Sequence, residues 1–140
     1  MHDGVIEIEI PSQYDLVAVV RMVIAAAAAD GAGFDGDRLD DLRIVTSEAV
    51  TNAIEANQAT PGASTVFLRC ETSPGLVRLQ VSDQGPGITP RAELPDMEDP
   101  SRLDIEGGFG IPLMQRLSSM SRFRSTPTGT IVDLEIGSNG

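Results

Sequence analysis

Lysine is missing from this chain: all ten basic residues are Arg. A phosphate-binding loop of the Walker type needs a Lys, so that route to nucleotide binding is closed. The only histidine is His2, in a terminal stretch, which excludes triads and metal clusters built on His. Cys70 is the only cysteine, so no intramolecular disulfide can form. In an apolar strand, a small buried residue is its favoured role over a reactive thiol. Trp is absent. No long hydrophobic run occurs: residues 17–29 are interrupted by Arg21 and are too short to span a bilayer. The opening residues carry acids in place of a basic segment and an apolar core, so no signal peptide is expected. Net charge is −11, which argues against direct contact with nucleic acid and suits a basic protein partner or simple solubility. The expectation is one cytoplasmic domain over residues 1–140, with no membrane association.

What is present begins with residues 5–10 (V-I-E-I-E-I), whose alternation predicts a strand with one buried face. Pro11 stops it, and Ser12 is placed to N-cap a helix through residue 29. That helix carries Leu16, Val19, Val20, Val23 and Ile24 and then five alanines suited to close packing. Its single basic residue, Arg21, reads as a snorkelling surface charge, with a partner contact as the alternative. Asp35 or Asp37 begins a second helix reaching about residue 58, where first-turn acids contribute about 0.3–1 kcal/mol each against the helix dipole. Residues 65–72 and 76–82 read as an antiparallel hairpin, with Val77, Leu79 and Val81 on one buried face. Residues 89–107 show no strong period and contain three prolines, several acids, Arg91 and Arg102. A connection of that length suggests a lid or disorder. A short amphipathic helix over residues 111–117 follows, with Pro112 in its first turn. Residues 123–125 and 130–136 read as two closing strands.

Three segments carry candidate chemistry. Glu48 and Asn52 are four apart on the second helix and therefore share a face. They flank an apolar stripe of Leu42, Val45, Ala49, Ala53 and Ala56, as pocket-lining groups or as a plain polar edge. Asp83, Gly85 and Gly87 form D-x-G-x-G at a strand's end. There an Asp can accept a hydrogen bond from an exocyclic amine while glycines let backbone approach a flat ligand; a Gly-Pro-Gly hairpin turn is the competing account. Gly107, Gly108 and Gly110 open a helix whose free amides favour anions, phosphates above all. The same box could serve as a hinge. No strand feeds it directly, so a dinucleotide-binding fingerprint fits poorly.

The order E-x-x-x-N helix, hairpin, D-x-G-x-G, long connection, G-x-G on a helix, then Gly129-Thr130 before a last strand resembles the GHKL ATPase superfamily of gyrase, chaperone, histidine-kinase and mismatch-repair ATPases. The run S-E-A-V-T-N-A-I and the single-domain layout are similar to one branch, the bacterial anti-sigma-factor serine kinases. The resemblance implies an α+β fold of the Bergerat type: a two-layer α/β sandwich whose mixed, mostly antiparallel sheet is covered on one face by about three helices. It implies ATP and Mg2+ as cofactors. Glu48 would be the general base and Asn52 the metal ligand. Asp83 would read the adenine amine, with Gly85, Gly87 and Ile88 walling the base. Gly108, Phe109 and Gly110 would offer amides to the phosphates, and Thr130 would support the adenine end.

As partners the resemblance implies a sigma factor, an anti-anti-sigma antagonist phosphorylated on serine, and a second copy of the chain. Two other functions compete: an ATP-sensing module with little catalysis, and a switch kinase acting on a scaffold protein. Three departures from the family pattern stand out. The second box continues into proline. Glu55-Ala56-Asn57 lacks the basic or histidine residue common there. The lid offers only Arg91 or Arg102 as a cation. With no phosphoacceptor His, a complete histidine kinase is excluded.

Overall fold

In the computed structural model, residues 4–85 and 110–137 are described. Gly87, Ile88, Gly108, Phe109 and the expected lid at residues 89–107 lie outside the described residues. The elements run β1 (Gly4–Pro11), a 3-10 turn (Tyr14–Leu16), α1 (Val17–Gly31), α2 (Gly36–Gln58), β2 (Thr65–Ser73), β3 (Leu76–Ser82), α3 (Gly110–Leu117), β4 (Met120–Thr126) and β5 (Gly129–Gly137). The strands form one sheet in the order β1-β2-β3-β5-β4, and every described pair is antiparallel. This is the α+β sandwich expected from the sequence.

Alternation decides which side of each strand meets the helices. Val66, Leu68 and Cys70 on β2, Val77, Leu79 and Val81 on β3, and Leu134 and Ile136 on β5 are all buried. α2 answers with Leu42, Val45, Thr46, Ala49, Val50, Ala53, Ile54 and Asn57, a run at helical spacing. α3 packs on α2 and inserts the fully buried Met114. Cys70 sits in this core, and burial pushes its thiol up to about 11, which suits an inert packing residue. The opposite side of the sheet is a charged ladder in which Arg69 bridges Glu7 and Glu71, and Arg122 and Arg124 both reach Asp133.

Two local expectations are corrected. Ser12 does not cap α1: a 3-10 turn intervenes, no side-chain cap bond forms there, and the Ser12 hydroxyl accepts a hydrogen bond from Asn57. The apolar set on α1 also divides. Val20 and Ile24 are buried, whereas Val19 and Val23 are 53% and 38% exposed, because one face of a helix suffices to cover a sheet edge. β1 is an edge strand, so Ile10 is buried while Ile6 remains 37% exposed.

Candidate functional site

Along α2, Glu48, Asn52 and Ala56 follow at intervals of four and occupy one face, spanning about 12 Å at 1.5 Å per residue. Glu48 and Asn52 are half-buried, on the flank of the core-facing stripe as the pattern predicted. Among the described residues neither side chain has a hydrogen-bond partner. Glu48 lines an open groove of about 610 Å³ between α1 and α2, with Arg21, Asp40, Arg43, Ile44 and Ser47. Arg21 does not simply extend into solvent, because its Nη1 donates to Ser47 Oγ at 3.2 Å.

The D-x-G turn leaves the end of β3 and packs on the last turn of α2. A Cβ on Gly85 would stand 3.1 Å from Ala56 Cβ and 3.2 Å from the Ala56 carbonyl oxygen, so a side chain there would push the turn off α2 by a few tenths of an ångström. Asp83 is fixed from two directions. The amides of Gly85 and Thr130 donate to Asp83 Oδ1 at 2.8 and 3.1 Å, and the Asp83 amide donates to the Thr130 carbonyl at 3.0 Å. Among the described residues, every hydrogen bond to this carboxylate uses Oδ1, which leaves Oδ2 available for a ligand. Burial pushes the Asp83 carboxyl above its ordinary range, and the two amide bonds counter that only in part.

Asp83, Gly85 and Thr130 are thus brought together against Ala56, at the end of the face that carries Glu48 and Asn52. Gly110 begins α3, which lies on α2. Gly87, Ile88, Gly108 and Phe109 lie outside the described residues.

Two residues of this corner, Asn57 and Gln84, were given no role from the sequence, and Gly129 was read only as part of the motif order. Asn57 is 1% exposed, and its Oδ1 accepts from the Gln84 amide at 2.7 Å. Gln84 in turn accepts the amides of Ser64 and Thr65 at 2.9 Å. Gly129 abuts Asp83 so closely that a Cβ there would overlap the Asp83 backbone oxygen. One signal was available: Asn57 falls on the apolar stripe of α2, where a polar residue needs buried partners. A further hollow of about 340 Å³ opens on the far side of the sheet near Arg69, Arg78, Arg122 and Asp133. Its charges pair across the strands, so it reads as a solvated ladder.

Comparison with known proteins now adds to this geometry. The family described as histidine kinase-like ATPase domain matches residues 10–136. The chain is 29% identical over 131 residues to the serine-protein kinase RsbW of Bacillus velezensis, covering 90% of this chain and 81% of that one. It is 30% identical over 118 residues to the serine-protein kinase RsbW of Bacillus licheniformis, covering 80% and 73%. Among solved structures, the RsbU and RsbW domains of a Mycobacterium tuberculosis protein superpose with a TM-score of 0.65 at 22% identity. That match covers 96% of this chain and 32% of the other, and it speaks to the fold alone.

Proposed function

The chain belongs to the histidine kinase-like ATPase domain family, and from that premise we propose that it is an ATP-dependent protein serine kinase that doubles as an anti-sigma factor. It sequesters a sigma factor and phosphorylates a serine on the antagonist that releases it. The observation that carries this reading is Glu48: a carboxylate without a partner among the described residues, one helical turn from Asn52 and at the edge of an open groove. A module that only bound nucleotide would have no need of a base there.

The donor set suits the cofactors. The Asn52 carboxamide oxygen is a hard ligand of the kind Mg2+ accepts alongside phosphate oxygens. Asp83 Oδ2 is an acceptor for the adenine amine, Gly85 opens the wall beside it, and Thr130 holds the carboxylate in place. A Mg2+ ion held by Asn52 would come with ATP and would supply positive charge against the phosphoryl group being transferred. Glu48 takes the proton from the serine hydroxyl as its oxygen bonds to the terminal phosphorus. The bond from that phosphorus to the bridging oxygen breaks, its electron pair stays on ADP, and phosphoserine leaves with the antagonist. A positioned base of this kind contributes roughly 10²–10⁴-fold.

Gly87 and Ile88 complete the base wall in this proposal, Gly108, Phe109 and Gly110 meet the phosphates, and residues 89–107 form the lid of a single domain. The kinase acts as a homodimer in the cytoplasm, without contact with membrane or nucleic acid. Among the described residues no helix is long and apolar enough to cross a membrane. Ile44 on α2 lines the Glu48 groove, and the exposed Val19, Met22 and Val23 of α1 add apolar surface on the neighbouring helix, together an apolar landing surface for the protein partners.

The test is incubation with γ-labelled ATP, Mg2+ and each protein encoded beside this chain. Label on a serine of a small partner supports the kinase. A tight complex without label selects the ATP-sensing module, and label on a larger scaffold selects the switch kinase.

A further inference from the structure

Asp83 can select adenine only if its unused oxygen points the same way in every molecule. An aspartate at the frayed end of a strand has no such guarantee, since loops of this kind move more than the elements they join. Here the turn is gripped through the residue that follows it. The Gln84 amide is held by Asn57 Oδ1 at 2.7 Å, and Gln84 Oε1 accepts the amides of both Ser64 and Thr65 at 2.9 Å. Main chain and side chain of one residue are thereby tied to two different elements, the end of α2 and the start of β2.

Asn57 spends all its carboxamide groups on this corner. Its Nδ2 donates to Ser12 Oγ and to the Thr65 carbonyl, both at 2.8 Å, so β1, β2, α2 and the D-x-G turn share one buried hub. Burying a carboxamide to 1% exposure is costly unless every bond is made, and an apolar residue would pack an ordinary helix end at no such cost. The return on the polar choice is geometric: a complete network fixes one arrangement where apolar packing tolerates several.

We infer that Asn57 and Gln84 are positioning residues for base recognition, locking the Asp83–Gly85 turn so that Asp83 Oδ2 meets the exocyclic amine of adenine. The inference rests on the assignment of Asp83 given under the proposed function. Neither residue touches the base. They act through the backbone of residues 83–85, and Gly85 in turn supplies one of the two amides that orient the carboxylate.

Gln84 is exposed, so its replacement spares the core and keeps the test clear of unfolding. The full chain is titrated with ATP and with purine riboside triphosphate, which lacks only the 6-amino group. The wild-type protein prefers ATP by about tenfold or more, the scale of one hydrogen bond to a charged acceptor. Gln84→Met shrinks that preference to about threefold or less, and Gln84→Glu, which keeps an acceptor oxygen at the same reach, restores it. In an Asp83→Asn background, Gln84→Met changes the ratio no further, the non-additivity expected of residues acting through one another. Amide hydrogen exchange at Gly85 and Thr130 accelerates in Gln84→Met and returns to wild type in Gln84→Glu.

A hub that merely stabilised the fold would weaken both nucleotides alike and leave the ratio intact. An unchanged ratio in Gln84→Met, beside a collapsed one in Asp83→Asn, overturns the positioning role and leaves the base assignment standing. A preserved ratio in Asp83→Asn overturns the base assignment and this inference with it.

Discussion

The last turn of α2 and its middle turns present opposite kinds of surface. At the end, Asn57, Gln84, Gly85, Asp83 and Thr130 hold one another through short hydrogen bonds and a glycine contact that leaves no slack. Five and nine residues before Asn57, Asn52 and Glu48 stand half-buried with no partner among the described residues. The difference matches the work assigned to each. Recognition of a rigid purine gains from acceptors fixed before the ligand arrives, because their ordering cost is met on folding. Groups that act on a phosphoryl group and a visiting hydroxyl must remain free to bind both.

The largest effect expected from this contrast is at the unpinned turn. Glu48→Gln should lower phosphate transfer by about 10²–10⁴-fold, while calorimetry finds ATP affinity unchanged. If affinity and rate fell together, Glu48 would belong with the pinned corner and the division drawn here would be lost.

At the pinned end the sharpest probe is Gly129. Its φ is +154°, and a Cβ there would overlap the backbone oxygen of Asp83, a residue tied to β5 through its amide's bond to the Thr130 carbonyl. Gly129→Ala should cost about 3 kcal/mol or more in urea unfolding, the scale of a forced backbone shift, and should also weaken ATP binding. Gly62 makes the control. It too has positive φ, +85°, but open space around it, so Gly62→Ala should cost only about 1–2 kcal/mol and leave ATP binding untouched. Equal losses in the two variants would show that Gly129 serves backbone conformation alone.

Much of this arrangement was legible in the residues. The α2 stripe of Leu42, Val45, Ala49 and Ala53 has a helical period that survives any tertiary context, and it placed Glu48 and Asn52 on the flank where they lie. The hairpin was equally plain, because Ser73-Pro74-Gly75 interrupts two alternating runs and Gly75 takes the positive φ of 74° that its turn demands. What stayed hidden depends on residues distant in sequence. Ser12 has the composition of a cap, but its hydroxyl answers Asn57, which is 45 positions away. The apolar residues of α1 surround the helix too evenly for periodicity to say that Val20 faces in and Val19 out. Asn57 carried a trace, a polar residue in an apolar stripe, yet nothing local announces that its partner is the amide of Gln84.

The smallest predicted effect, on pH, tests whether the pinned corner has the electrostatic character its burial implies. Asp83 and Asp133 titrate in opposite senses. Burial raises Asp83 above its unfolded value, so its contribution to stability is complete below that value and is lost as pH rises through the raised one. At Asp133 burial pushes upward too, but hydrogen bonds from Arg124 and Gln80 and the charges of Arg124 and Arg122 outweigh it. The lowered carboxyl therefore contributes above its unfolded value, and that contribution is lost as pH falls through the folded one. Stability near neutral pH accordingly draws on the Asp133 ladder and not on the Asp83 corner. Ligand binding reverses the order of importance, since only an ionised Asp83 offers two acceptor oxygens. ATP affinity should decline as pH falls toward the raised Asp83 range, beginning above the ordinary aspartate value of about 3.9. Protonation of the phosphates near pH 6 affects every variant alike, so the difference between wild type and Asp83→Asn isolates this carboxylate. Parallel pH profiles for the two proteins would mean that Asp83 meets the base already protonated, and the corner would then select its ligand by shape and not by charge.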